Sequence, residues 1–262
     1  MVLFLLVSRV FSIAWALVRL HGFTVTESGA DLRVEYGLLT RVTATIPRRR
    51  VQTVTVRETP LHRVLGYAAV RVATAGGVAG HERAATQREW LAPIIRRDLV
   101  PTLLAAILPG GETAGIDWQP VHPRALRRVM RRNLLMAAIL ALASALYLGG
   151  SAVWLFAALA LWAVLTAVVH VRRLGWARTP DVIALRTGTV AWVTTCAPLS
   201  KMQVVARHES PFDRRHGMAR VRVDTAGAAG GFHVDLPYLP ADTADRLHTD
   251  LSAVAARTSF QW

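Results

Sequence analysis

Three patterns of apolar and polar positions succeed one another along this chain. Val51–Val56 and Tyr67–Thr74 alternate apolar and polar residues, Val70 and Val72 lying to one side of the second run and Arg71 to the other. A period of two predicts half-buried strands. Shorter apolar runs at Phe23–Glu27, Leu32–Tyr36 and Leu38–Ile46, punctuated by Ser28-Gly29 and Gly37, predict further strands. Between the two alternating runs stands Thr59-Pro60, with Gly66 six residues beyond the proline. A capping hydroxyl, Pro at the first helical position and Gly past the end predict a helix of one or two turns. The 3.6-residue period appears twice, in Ile94–Leu108, where Pro101 predicts a kink, and in Ala241–Ala256, where Leu247, Leu251 and Val254 share a face opposite Asp242, Asp245 and Arg246. Strands first and a closing helix last predict a small β-barrel or bent sandwich plugged by that helix.

The third pattern has no polar face. From Leu134 to Val171 the chain runs 38 residues without Asp, Glu, Lys or Arg. A membrane helix takes roughly 20 apolar residues, so this stretch is too long for one and is broken at Gly149-Gly150-Ser151. It predicts a transmembrane helical hairpin with arms Leu134–Leu148 and Ala152–Val171. A buried hairpin of a soluble domain is the competing interpretation, and the missing polar stripe opposes it. Arg124, Arg127, Arg128, Arg131 and Arg132 precede the hairpin, and Arg172, Arg173 and Arg178 follow it. Cationic flanks stay inside, so both ends are expected in the cytoplasm, with Trp154 and Trp176 near opposite interfaces.

What surrounds the hairpin is said twice. Residues 37–76 lie over 188–227 without a gap, and 17 of the 40 positions are identical. Gly37 meets Gly188, Pro47 meets Pro198, and Val70-Arg71-Val72 meets Val221-Arg222-Val223. The Thr59-Pro60…Gly66 signal returns as Ser210-Pro211…Gly217. A match of this length means one structural unit in two copies. The chain therefore divides into an N-terminal helix (1–20), a first unit (21–110), a linker and basic flank (111–132), the hairpin (133–172) and a second unit (173–262). Within the linker, Pro109-Gly110-Gly111 through Pro123 carries the turn-forming residues, and Gly76-Gly77…Gly80 is expected to be a hairpin turn.

The first twenty residues fit an uncleaved membrane helix with Arg19 inside, or an interfacial helix. Arg9 interrupts the apolar run at a cost of about 2.5–3.5 kcal/mol at mid-bilayer. Ala14-Trp15-Ala16 imitates a signal-peptide cleavage site, but no cationic segment opens the chain.

Charge and hydropathy agree with a membrane protein. The net charge is +14, the hydrophobic share 53%, and arginine supplies all the basic residues but Lys201. Such a balance suits an anionic lipid surface or nucleic acid; no aromatic platform interleaves with the basic stretches, which opposes nucleic acid. Cys196 is the single cysteine, which excludes a disulfide framework. His62, His81, His208, His216, His233 and His248 lack metal-ligand spacing. Neither a metal nor a cofactor is expected.

Pro47-x-x-Arg50-Val51-Gln52, followed by Pro60-x-x-Arg63-x-x-Gly66-x-Ala68-x-Val70-x-Val72-x-Thr74-Ala75-Gly76, resembles the signature of bacterial pleckstrin-homology-like (PH-like) membrane proteins, above all the YdbT-like group. Trp90-Leu91-Ala92-Pro93 and Leu236-Pro237-Tyr238-Leu239-Pro240 are similar to that family's approach to its closing helix. The resemblance implies an α+β fold with transmembrane helices: two PH-like seven-stranded barrels, each capped by a C-terminal helix, separated by a membrane hairpin. It implies roles in envelope stress or antimicrobial resistance and no catalytic residues. Longer members carry three units, so the N-terminal segment could also be the remnant of a longer relative's hairpin.

Candidate sites follow from position and from repetition. Arg48, Arg49 and Arg50, answered in the second copy by Leu199-Ser200-Lys201, are candidate lipid contacts, together with Arg128, Arg131, Arg132, Arg172 and Arg173. Juxtamembrane cations gain about 1 kcal/mol each near an anionic leaflet. Gln52, Glu58, Arg63 and Arg71 recur as Gln203, Glu209, Arg214 and Arg222. They form either a ligand pocket present twice or, in the simpler account, an acid–arginine pair within each unit and a glutamine serving backbone groups at a strand edge. The expected function is non-enzymatic: a multi-pass plasma-membrane protein presenting two cytoplasmic units to a protein partner or a second copy of itself. A sensor of anionic lipid is the alternative. A transporter subunit is disfavoured because the hairpin lacks the ionisable residues that intramembrane chemistry uses.

Overall fold

The computed structural model describes residues 2–29, 31–74, 88–108, 116–148, 152–225 and 233–257. The expected turns at Gly76–Gly80 and at Gly149–Ser151, and His81, lie outside these residues.

The first unit follows helix α1 (Val2–Leu20). Strands β1 (Thr24–Ser28), β2 (Asp31–Tyr36) and β3 (Val42–Pro47) form one antiparallel sheet. β4 (Val51–Glu58), β5 (Tyr67–Thr74) and β6 (Arg88–Arg96) form the start of another. A 3-10 turn at Arg48–Arg50 makes the corner between β3 and β4. Helix α2 (Pro60–Leu65) joins β4 to β5, and helix α3 (Val100–Ile107) closes the unit. After the short strand β7 (Gln119–Pro120) come helices α4 (Ala125–Leu148) and α5 (Ala152–Arg173). The second unit repeats the order: β8 (Gly175–Arg178), β9 (Val182–Thr187), β10 (Trp192–Pro198), a corner at Leu199–Lys201, β11 (Met202–His208), helix α6 (Pro211–Arg214), β12 (Met218–Thr225), β13 (His233–Pro240) and helix α7 (Ala241–Arg257).

Local signals were accurate where one or two residues control the backbone. The Thr59 Oγ1 accepts the His62 N–H at 3.2 Å and Gly66 ends α2 in the left-handed region. In the second copy Ser210 and Asp213 form a reciprocal capping box. Two expectations need correction. Leu38–Ile46 is not one strand: Gly37 at φ 111° starts a turn, and β3 begins only at Val42. A Cβ on Gly37 would lie 2.1 Å from the Thr40 carbonyl oxygen, and on Gly188 2.0 Å from that of Ala191, so both turns require glycine. Nor is Ile94–Leu108 one kinked helix. Ile94 and Ile95 belong to strand β6, and α3 starts at Val100, because Pro101 suits a first helical turn and not an interior one.

The implied pair of seven-stranded barrels is also corrected. Among the described residues each unit supplies six strands besides β7, and neither closes on itself. Instead β4 pairs antiparallel with β10, Glu58 opposite Trp192 and Val54 opposite Cys196. The two units thereby share one seven-stranded sheet, ordered β6-β5-β4-β10-β9-β8-β7. Val182, Ala184 and Cys196 of the second unit belong to the apolar core of the first, beside Val54, Val70 and Leu91. A second core, with Leu199, Val221, Leu236, Leu247 and Leu251, lies under α7.

Helices α4 and α5 pack along each other with Ala137, Ala141, Ala163 and Ala167 buried. Small residues at such a contact let apolar helices approach closely. The basic flank Arg127–Arg132 is itself helical and continues into the first arm. Among the described residues one helix is apolar and long enough to cross a membrane, Val153–Arg173.

Candidate functional site

Two places concentrate the unusual side chains, at opposite ends of the seam between the units. The first lies where α5 delivers the chain into β8. Trp192, at the start of β10, is flanked by Arg63 of α2 and Arg173 of α5, each guanidinium 4.2 Å from the ring centroid. Glu58, directly opposite in the β4–β10 ladder, forms an ion pair with Arg97 at 3.6 Å. Arg186 stacks 4.9 Å over Trp118, and burial holds its guanidinium below the ordinary value. Four arginines thus face one glutamate and two indoles. Cations on aromatic faces gain about 0.5–2 kcal/mol each as they lose water. The result joins Arg63 of the first unit and Arg173 at the end of the helical stem through one tryptophan of the second unit.

The stem grips the second unit at a further point. Arg128 of α4 pairs with Asp213 and donates to the Ser210 Oγ at 3.1 Å, so it grips the α6 capping box. Ala125, Val129, Ala167 and Leu174 pack with Met218 and Tyr238. Tyr238 adopts φ 57° beside a register shift in the β12–β13 ladder, and its carbonyl accepts the His122 N–H at 2.7 Å. The His122 Nδ1 in turn accepts the Arg124 N–H at 3.1 Å. That role needs an unprotonated Nδ1; desolvation first, then the Arg124 and His216 charges, lower the pKa of His122.

This end of the first unit also presents a bare apolar face. On α2, Leu61, Val64 and Leu65 are 66%, 83% and 58% exposed, and Ile94 is exposed nearby. Arg63 of the same helix is the residue held against Trp192 beside Arg173.

The second place is the far end of the seam. The corners Arg48–Arg50 and Leu199–Lys201 meet there, and Arg48, Arg49, Ser200 and Lys201 line a cavity of about 390 Å³ with Val51, Pro198 and the end of α3. Arg48 also reaches Glu27 at 2.7 Å. β4 runs from this corner to Glu58, a span of roughly 23 Å at ~3.3 Å per residue. Arg48–Arg50 therefore stand a strand's length from the stem.

The repeated polar residues take different partners in the two copies. Glu58 meets Arg97, whereas Glu209 meets Arg207 at 2.6 Å. Arg71 lies 3.6 Å over Trp90, whereas Arg222 reaches His233 Nε2 at 3.0 Å and Asp224 at 3.6 Å. Gln52 is buried in the seam strand, while Gln203 is half-buried. Among the described residues no group of three or more His, Cys, Asp or Glu side chains converges on a metal position. Trp118, His122, Trp192, Asp213 and Tyr238 were not singled out by sequence reasoning for these roles. Only Asp213 carried a usable signal, three residues after the capping Ser210.

Six strands per unit, three of them given to a shared sheet, a closing helix and an apolar helical stem define a membrane-associated protein built from PH-like modules. A family model for the bacterial PH domain matches residues 1–108 and 134–255, and the chain belongs to that family. It is 22% identical over 213 residues to the transmembrane protein YdbT of Bacillus subtilis (strain 168), a match covering 80% of this chain and 42% of that relative. The chain thus spans less than half the length of the curated relative it matches. No solved structure matches it.

Proposed function

We propose that the chain is a non-enzymatic membrane-anchored scaffold. Helices α4 and α5 cross the plasma membrane as a hairpin, and both PH-like units face the cytoplasm for a protein partner, in a process such as envelope stress or antimicrobial resistance. The observation that carries this reading is the shared sheet. Two modules fused edge to edge through β4 and β10, the second held to the stem by Arg128 on Asp213 and Arg173 on Trp192 and the first meeting that same Trp192 through Arg63, make one platform. Orientation rests on Arg128, Arg131, Arg132, Arg172 and Arg173 at the base of the two arms. Protease added to sealed inside-out vesicles is expected to digest both units, and protection of either one overturns the topology. Mild-detergent purification of the intact chain is expected to retain a specific partner that is lost when the β4–β10 seam is broken. Purification of the chain alone overturns the scaffold role.

Contact with anionic lipid is a second reading, favoured by the exposed face of α2. Leu61, Val64 and Leu65 flanked by Arg63, Arg96 and Arg97 form the apolar-and-cationic combination that settles into a headgroup layer. A fluorophore on Val64→Cys, with the full chain in phosphatidylglycerol-containing bilayers, is expected to be shielded from aqueous quencher, and salt should reverse the shielding. Equal quenching in neutral and anionic bilayers refutes it. Replacing Arg48, Arg49 and Arg50 by Ser tests the distal corner in the same assay.

A further inference from the structure

The seam uses unlike edges of two like units. In the first unit the edge taken is that of β4; in the second it is that of β10, which is the counterpart of β3 in the 151-residue repeat. Each unit thus retains the edge that its twin has spent. Among the described residues β3 is the last strand of its sheet, and so is β11, the counterpart of β4. Exposure follows the pairing. Thr53 in β4 is 5% exposed, while its counterpart Val204 in β11 is 53% exposed. An unpaired edge is a template for another strand.

We infer that β11 of one chain pairs with β3 of a second copy, in the register the seam already shows. This rests on the shared sheet described above and adds the occupant and the register to the scaffold reading. Carrying the β4–β10 ladder across the repeat places Arg41 opposite Glu209, Ala44 opposite Ala206 and Thr45 opposite Val205. The first of these replaces the Trp192–Glu58 pair by an ion pair, so the interchain edges are complementary in charge. The second puts two small residues where the seam has Thr195 and Thr55. Opposite charges and small or β-branched partners are what facing antiparallel positions favour. Arg41 stands at the open end of β3, its side chain 80% exposed.

Each chain offers one edge of each kind, so the contact is heterologous and each copy presents a free edge to the next. Copies inserted in one bilayer with a common orientation are related by rotation about the membrane normal or by translation in its plane. A rotation that closes gives a ring, and one that does not gives an open row. The same edge is available to a further PH-like unit where a longer chain carries one.

Cysteine cross-linking of the full chain in its native membrane tests this. Facing residues in an antiparallel ladder stand about 4.5–5.5 Å apart at Cα, within disulfide reach. Two differently tagged chains, one carrying Ala44→Cys and the other Ala206→Cys, are expected to link on oxidation with copper phenanthroline. The pair Ala44→Cys with His208→Cys, a diagonal of about 7–8 Å, is expected not to link. The intrachain pair Thr55→Cys with Thr195→Cys calibrates the seam itself. If the intrachain bond forms and the Ala44–Ala206 bond does not, the self-pairing is wrong while the platform stands. If the intrachain bond also fails, the template is lost and the inference falls with it. Arg41→Glu is expected to abolish the interchain link, and Arg41→Glu combined with Glu209→Arg to restore it. A link that ignores both changes also overturns the register.

Discussion

Cys196 makes the seam measurable. It is the single cysteine, fully buried opposite Val54, and burial pushes its thiol up from 9.0 to about 12. At pH 8 a thiol at 9.0 is about 10% ionised and one at 12 about 0.01%, so ionisation alone slows alkylation by roughly a thousand-fold. Labelling in the folded chain then proceeds through opening of the seam. Val54→Ala removes two methyl groups from a site with no exposure. At about 0.8 kcal/mol per buried carbon plus a cavity contribution, the loss is about 2 kcal/mol. If opening is local, this raises the open population, and with it the labelling rate, about 30-fold. Val223→Ala is the comparison, equally buried but set in the second unit's own core. It is expected to leave the rate near that of the unsubstituted chain. The assay is maleimide labelling of the membrane-embedded chain followed by mass spectrometry. Rapid labelling of the unsubstituted chain, or a larger effect from Val223→Ala than from Val54→Ala, would refute the argument.

Three further outcomes are expected. Because the folded pKa of Cys196 lies above the unfolded value, its stabilising share is complete below pH 9.0 and declines toward pH 12, by about 1.4 kcal/mol per pH unit; Cys196→Ala should flatten that decline in denaturation midpoints measured from pH 8 to 11. His122 behaves oppositely: its folded pKa is lowered, so the stabilising share is present above 6.5 and is lost as pH falls, because the unfolded chain binds the proton first. Amide exchange at the start of α4 should quicken on acidification, and His122→Asn should remove the pH dependence. Ser210→Ala is expected to cost about 1 kcal/mol, and Asp213→Ala more, since Ser210 only accepts one hydrogen bond from Arg128 whereas Asp213 closes the capping box and also carries the ion pair with it; equal thermal shifts for the two would mean that this ion pair contributes nothing.

The sequence by itself determined what depends on neighbours along the chain. Strand periods, the Thr59–Gly66 and Ser210–Gly217 helices, the uncharged run that becomes α4 and α5, and the duplication are all local or translational patterns, and each residue carries its own share of the signal. Small errors arose where one residue admits two backbones: Pro101 fits a kink or a first turn, and Gly37 can punctuate a strand or start a turn. Only the tertiary structure decided how the units meet. Strands join through backbone N–H and C=O groups, which every residue owns, so no side chain announces that β4 will take β10 or that β3 and β11 will be left over. The repeat even conceals the answer, since Gln52 and Gln203 look alike while one is sealed in the seam and the other is not. The same holds for Trp192, whose arginines come from positions 63 and 173. A contact between residues so far apart in sequence exists only once the sheet has brought α2 and α5 to the same corner.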